Sequence, residues 1–354
     1  MLRTEYSAIE LGSGCSVKCA HDTAMTIEYA MSRSTEDVRH SRTALIAVVG
    51  AACLFGSTGT IASTGPDDLS PVAAGVWRSV IGAVLLAAAA RPRRRTEWRA
   101  LANRWVWIGG VGVAGYHLAF FEAVNRAGVA IGTVITIGAG PVVAGILDAS
   151  LRRLVPTRAW FCGTSIAVGG VVLLTTSASD PDALGIILAL VAACSFPLYG
   201  EAAQRLMVDR PYRSAMASVF GAGAVLLSPL AVVTADDALA SGESIATVVA
   251  LGVATLAVAY LLWGFGLRAL SLSTVVTVTL VEPAVAATLS VLVLDEAFTA
   301  MLAAGVSMVA VGVWLGARSD RQAEPTQTSS RLEIEGAARQ TGSGRVFNSE
   351  PLTD

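Results

Sequence analysis

Charge is scarce in this 354-residue chain. Asp, Glu, Lys and Arg together make up 15% of it, against roughly 25% in an ordinary soluble domain. Hydrophobic residues make up 54%, and mean hydropathy is +0.62. That shortage excludes a soluble globular domain and points to a polytopic membrane protein. The net charge of -2 carries no sign of nucleic-acid binding. Cysteine is sparse too. The five present are too few and too scattered for a disulfide framework, and Cys53, Cys162 and Cys194 lie in apolar runs, where they are expected to act as small packing residues. Cys15, Cys19 and His21 make only an incomplete metal set. There are three histidines, two of them within residues 1–40, so no metal site and no cofactor is assigned. No GxxxxGK[ST] phosphate loop occurs, and a chain without one cannot hydrolyse ATP by itself. No HExxH, GxSxG or tight His/Asp/Glu cluster suggests a membrane enzyme.

What the chain does have is a duplication. A shift of 142 positions lays Arg126, Ala127, Pro141, Ala144, Gly163 and Gly170 on Arg268, Ala269, Pro283, Ala286, Gly305 and Gly312. A shift of 141 lays AACLFG from Ala51 on AACSFP from Ala192, and GAVLL from Gly82 on GAVLL from Gly223. Two related hydrophobic units in tandem are how many secondary transporters build a substrate site between halves.

About 20 apolar residues cross the hydrocarbon layer as a helix. Ten stretches qualify: 44–63, 70–90, 105–126, 129–147, 157–177, 183–204, 213–234, 245–268, 272–294 and 298–317. They are long and rich in Ala, Leu, Val and Gly, unlike the alternating ten-residue strands of a membrane barrel. Arginines crowd the connectors of one face, from Arg91 to Arg104, Arg152 to Arg158 and Arg205 to Arg213, and flank the set at Arg39, Arg42, Arg318 and Arg321. The opposite connectors carry Asp67, Asp68, Asp180, Asp182, Asp236, Asp237, Glu243, Asp295 and Glu296. Basic residues stay on the cytoplasmic side, which places both termini there. Five helices per repeat is an odd number, so the second repeat enters from the opposite face and the halves are inverted copies.

The domain organisation read from this is a disordered cytoplasmic leader over 1–40, a first repeat over 44–177, a second over 183–317 and a disordered tail over 318–354. Residues 1–40 hold no apolar core long enough for a signal peptide, and Met31 is an alternative start.

The stretch GVAIGTVITIGAGPVVAGIL, and more fully LSLSTVVTVTLVEPAVAATLSVLVLDEAFTAMLAAGVSMVAVGVWL, resembles the two repeats of the EamA family in the drug/metabolite transporter superfamily. The marks are the small-residue run into Glu282 and Pro283, the Asp295 and Glu296 pair, and Gly305 with Gly312. In the first half Arg153 and Leu154 stand where that acidic pair is expected. The resemblance covers about residues 44–317. It implies an all-α, ten-helix carrier in the cell membrane that moves small polar metabolites such as amino acids, commonly outward, by alternating access. Lipid, a small-molecule substrate and protons are then its partners. A multidrug or nucleoside carrier of the same fold, or a receptor or scaffold without transport, are the alternatives.

An ionisable group at membrane depth costs roughly 2.5–3.5 kcal/mol on insertion scales, so each one retained there is a functional candidate. Glu282 stands first. It precedes Pro283, whose missing N–H frees a carbonyl in the turn before it, and a carboxyl there can bind a proton or a cationic group. His117 lies about 18 Å along the third helix and can change charge in the physiological range; Tyr116 is beside it. Glu122 and Arg126, at i, i+4, are expected to pair, as are Glu201 and Arg205. Arg78 either snorkels outward with Trp77 as an interfacial anchor or faces the cavity as a counter-charge. Tyr199, Tyr260 and Trp263 are candidate cavity aromatics. Pro141 and Pro283, at matched positions, are expected to kink their helices as hinges. Gly128 and Gly132, at GxxxG spacing, are expected to let helices approach closely.

Overall fold

A computed structural model of the chain describes residues 41–90, 102–174, 182–293 and 299–318. The leader, the tail from 319, the arginines at 91–99, Asp180 and the Asp295 and Glu296 pair lie outside the described residues. The chain divides into Met1–Thr43, of which residues 41–43 are described and begin the first helix, and Ala44–Asp354, which holds everything that follows.

Among the described residues the only regular structure is helical. In chain order the long helices are α1 (Ser41–Ser63), α2 (Pro71–Ala90), α3 (104–127), α4 (Ile131–Arg152), α5 (Arg158–Leu174), α6 (Ala183–Met207), α7 (Tyr212–Val233), α8 (Gly242–Leu267), α9 (Leu272–Val293) and α10 (Ala300–Arg318). Eight of them, all but α3 and α5, are long and apolar enough to cross a membrane. α5 is apolar but shorter, at 17 residues. A single helical turn, Ala235–Ala238, carries Asp236 and Asp237 between α7 and α8.

Their ends follow local chemistry. Asn103, Asp182, Ser241 and Ser271 cap α3, α6, α8 and α9, each side chain accepting from a backbone N–H of the first turn. α3 and α4 meet in a tight reversal at Gly128, whose φ of 82° and ψ of 155° suit glycine. Gly128 therefore makes a turn and is not the packing residue that its spacing with Gly132 suggests. The matched prolines also differ. α9 is interrupted at Leu280, whose N–H turns back to Thr277 O at 3.1 Å, ahead of Pro283. α4 keeps helical backbone through Pro141.

The packing repeats itself between halves. A Cβ on Gly163 in α5 would lie 2.6 Å from Gly312 O in α10, and one on Gly170 would lie 2.7 Å from Gly305 O. Gly163 and Gly170 correspond to Gly305 and Gly312 under the duplication, so the two contacts exchange into one another. Residue numbers rise along α5 as they fall along α10, and the crossing is antiparallel. α2 against α8 and α7 against α3 form a second such pair, with Leu256 over Gly82 and Val113 over Gly223. Small residues permit this backbone-to-backbone approach, where dispersion rather than water exclusion holds helices together.

Large side chains fill the centre: Trp263, Tyr199, Phe220, Met216, Leu256 and Leu272 are fully buried. The three described cysteines are not part of it. Cys53, Cys162 and Cys194 are exposed on the outer surface of the bundle, so their expected packing role is corrected: an apolar run presents one face to its neighbours and another to lipid, and these residues fall on the second.

Candidate functional site

A cavity of about 670 Å³ lies between the two halves. The first half supplies Phe55, Arg78, Tyr116, His117 and Phe120; the second supplies Phe196, Tyr260, Thr279, Glu282 and Pro283. Phe55 and Phe196 are duplicates of one another under the 141-residue shift, so the repeat gives the wall a symmetric aromatic pair. The charges break that symmetry. Gly140 occupies the place of Glu282 in the first half and Val219 that of Arg78 in the second.

The cavity reaches the surface at one end, where exposed Gly59 at the close of α1 and exposed Thr299 and Met301 at the head of α10 line it. At 1.5 Å per residue, Ser290 in the same lining stands about 26 Å along α9 from Ser273. The end near Ser273 is closed by buried charge. Glu201 on α6, with its side chain 1% exposed, accepts from Arg152 at 2.6 Å and from Arg205 at 2.6 Å. Asp148 on α4 accepts the Ser273 backbone N–H at 2.7 Å, at the start of α9, and lies 3.7 Å from Arg152. Glu201 thus makes the expected local pair with Arg205 and a second one across the repeats. The sequence cue to Asp148 is its spacing four residues before Arg152; nothing in the sequence shows that α6 and α9 converge on it.

Inside the cavity, the Glu282 carboxyl makes no hydrogen bond or ion pair within the described chain, and Arg78 is the cation sharing the space with it. Arg78 turns inward. Its NH1 donates to Thr255 Oγ1 at 3.3 Å and its NH2 meets His117 Nε2 at 3.4 Å. Trp77 does not anchor it outward; it packs half-buried against Val76, Ala73 and their neighbours. Thr255 sits in a π-helical stretch of α8, Leu251–Val258, where its hydroxyl donates back to Leu251 O at 2.8 Å. π-Turns inside α-helices gather at functional sites. Gly252 belongs to this stretch: a Cβ there would come within 2.7 Å of Ile81 on α2, one turn from Arg78.

The aromatic candidates separate into two layers. Tyr116 lines the cavity, stacked on Phe120 at 5.6 Å. Tyr260 also lines it, with Phe55 at 4.9 Å and Phe220 at 4.2 Å. Tyr199 and Trp263 stand behind. The Tyr199 hydroxyl shares a 2.6 Å hydrogen bond with that of Tyr260, and Trp263 Nε1 donates to Thr279 Oγ1 at 3.3 Å. They support lining residues without reaching the lining themselves. Pro283 lines the cavity, and Pro141 does not. Glu122 and Arg126 pair at the surface with Asp182 nearby, at 3.5 Å from Arg126. Among the described residues no group of three or more His, Cys, Asp or Glu converges in a way that would hold a metal ion. Ser79, Thr255 and Thr279, short neutral groups common in apolar helices, carry no sequence signal that separates them from packing residues.

The chain resembles known proteins over most of its length. The model of the EamA-like transporter family matches the chain twice, over residues 42–176 and 183–317. A protein of Bacillus subtilis (strain 168) named "Uncharacterized transporter YwfM" is 30% identical over 284 residues, covering 80% of this chain and 96% of its own length. A solved crystal structure, 21% identical, superposes with a TM-score of 0.66 over 78% of this chain and 98% of its own, and so shares the fold.

Proposed function

We propose, from the premise that this chain belongs to the EamA-like transporter family, that it is a secondary carrier exporting small polar metabolites such as amino acids across the cell membrane. Ten helices cross the bilayer as two inverted five-helix repeats, with both termini in the cytoplasm. The antiparallel, mutually exchanging contacts of α5 with α10 support the inversion. The observation that carries the reading is the cavity between the halves. Its aromatic walls suit an apolar body, and Glu282 and Arg78 offer one acid and one base to the two ends of a zwitterion. A site between inverted repeats can open to either side in turn. In this conformation it opens toward the acidic connectors, while the ion cluster of Asp148, Arg152, Glu201 and Arg205 closes the arginine-rich side. Transport requires that cluster to open. Glu282 carries the coupling proton, and Pro283, beside the break at Leu280, lets α9 hinge.

The purified protein in liposomes, tested with radiolabelled amino acids, is expected to give flux that responds to an imposed pH gradient. A receptor or scaffold gives none under any gradient. Growth tolerance of cells to candidate metabolites, with and without expression, narrows the substrate.

A further inference from the structure

We propose that His117 is a positioning residue: it holds the Arg78 guanidinium in place as the carboxylate-binding group of the cavity, and the substrate carries a carboxylate. The substrate half rests on the carrier reading above; the positioning half rests on hydrogen-bond geometry alone. His117 Nδ1 lies 2.8 Å from Val113 O. A carbonyl oxygen only accepts, so the ring proton is on Nδ1. Nε2 then faces Arg78 NH2 at 3.4 Å and Ser79 Oγ at 2.7 Å; a guanidinium only donates, so Nε2 accepts, and the single Ser79 hydroxyl proton turns to Nε2 rather than to Gly75 O, 2.9 Å away. The ring is buried, with 3% of its surface exposed, and cannot turn without breaking all three contacts.

Arg78 is thereby held from two sides, by His117 on α3 and by Thr255 on the π-helical stretch of α8. Other titratable groups of the same cavity are Tyr116 on α3, Tyr260 on α8 and Glu282 on α9, none of which pairs with Arg78 at ion-pair or hydrogen-bond distance. A fork of donors fixed in orientation matches the two oxygens of a carboxylate better than a mobile point charge does. The pre-ordering means that little side-chain entropy is lost when the anion arrives.

Two measurements test this. The first needs no substrate. In the full chain carrying His21→Gln and His40→Gln, which leaves one histidine, nitrogen NMR of the ring at about pH 8 is expected to show the proton on Nδ1. A proton on Nε2 overturns the positioning role. The second compares uptake of the common L-amino acids with that of their methyl esters, in liposomes. The wild type is expected to prefer the acid, and Arg78→Gln to lose that preference by about tenfold or more. His117→Ala should raise KM for the acid, not for the ester, and His117→Gln, whose amide oxygen can replace Nε2 as acceptor, should restore most of the affinity. Retention of the preference in Arg78→Gln, or equal losses in His117→Ala and His117→Gln, overturns the proposal. If the wild type carries no member of the panel, the amino-acid reading and the carboxylate assignment fall together, while the ring proton still decides the role of His117.

Discussion

At the scale of single residues, the chemistry of this chain is set by which polar groups are left without protein partners. Glu282 is the clearest: its carboxyl faces the cavity with nothing in the described chain bonded to it. A charge-assisted hydrogen bond is worth about 1.5–3 kcal/mol, so Glu282→Gln is expected to lower transport by about tenfold or more, measured as initial uptake in liposomes. The sign of the pH effect follows from the proposed coupling. Protons entering from outside drive substrate out, so external acidification speeds export by the wild type and leaves Glu282→Gln unchanged; a variant with the wild-type response removes Glu282 from the coupling. Glu201 behaves differently, because it is already satisfied. Glu201→Gln leaves Arg152 and Arg205 facing each other across a neutral amide. Loss of one partner of a fully buried pair costs about 3–5 kcal/mol, but these arginines are 24% and 35% exposed, so a loss of about 1–3 kcal/mol is expected in thermal or denaturant unfolding. Of these two acids, Glu282 stands out in the sequence by its depth and its proline. Glu201 does not, since the sequence shows its neighbour Arg205 and hides Arg152, which arrives from another helix.

At the scale of the element, glycines decide how close helices come. Gly312→Ala would drive a methyl group into the Ala167 backbone nitrogen. The backbone on both sides must shift, and overpacking of this kind costs about 1–3 kcal/mol. Gly221 on α7 has nothing within 4 Å of an added Cβ, so Gly221→Ala is expected to be neutral or to stabilise by up to about 1 kcal/mol through helix propensity. Melting temperatures of the two variants in one detergent check the contrast. Sequence reading finds the helices well, because each must satisfy its backbone internally and so keeps a continuous apolar run. It does less well where one sequence feature serves two purposes. Gly128 and Gly132 carry packing spacing, yet Gly128 turns the chain. Pro141 and Pro283 match in position, yet only the helix of Pro283 breaks, because the course of a helix near a proline depends on its neighbours as well as on the missing N–H.

At the scale of the whole molecule, the duplication and the arginine distribution together fix an expected topology. In a background with its native cysteines replaced, a cysteine at position 236 is expected to react with a membrane-impermeant thiol reagent in intact cells, and one at position 93 only after permeabilisation; reaction of both from outside overturns the inverted arrangement. Much of this was open to reading from the chain alone. Scarce charge, long apolar runs and a repeat at 141–142 residues determine a duplicated helical membrane protein, because lipid forces hydrophobic continuity on every crossing segment and duplication keeps its spacing; the EamA-like family shows in the match of its model to both halves. The site itself was decided by tertiary structure. Which face of α2 turns Arg78 inward, which aromatics reach the cavity and which stand behind them, and how Asp148 meets α9 all depend on contacts between residues far apart in the chain. A side chain's direction around a helix is settled by its neighbours, and in an almost uniformly apolar sequence little periodicity is left to declare it.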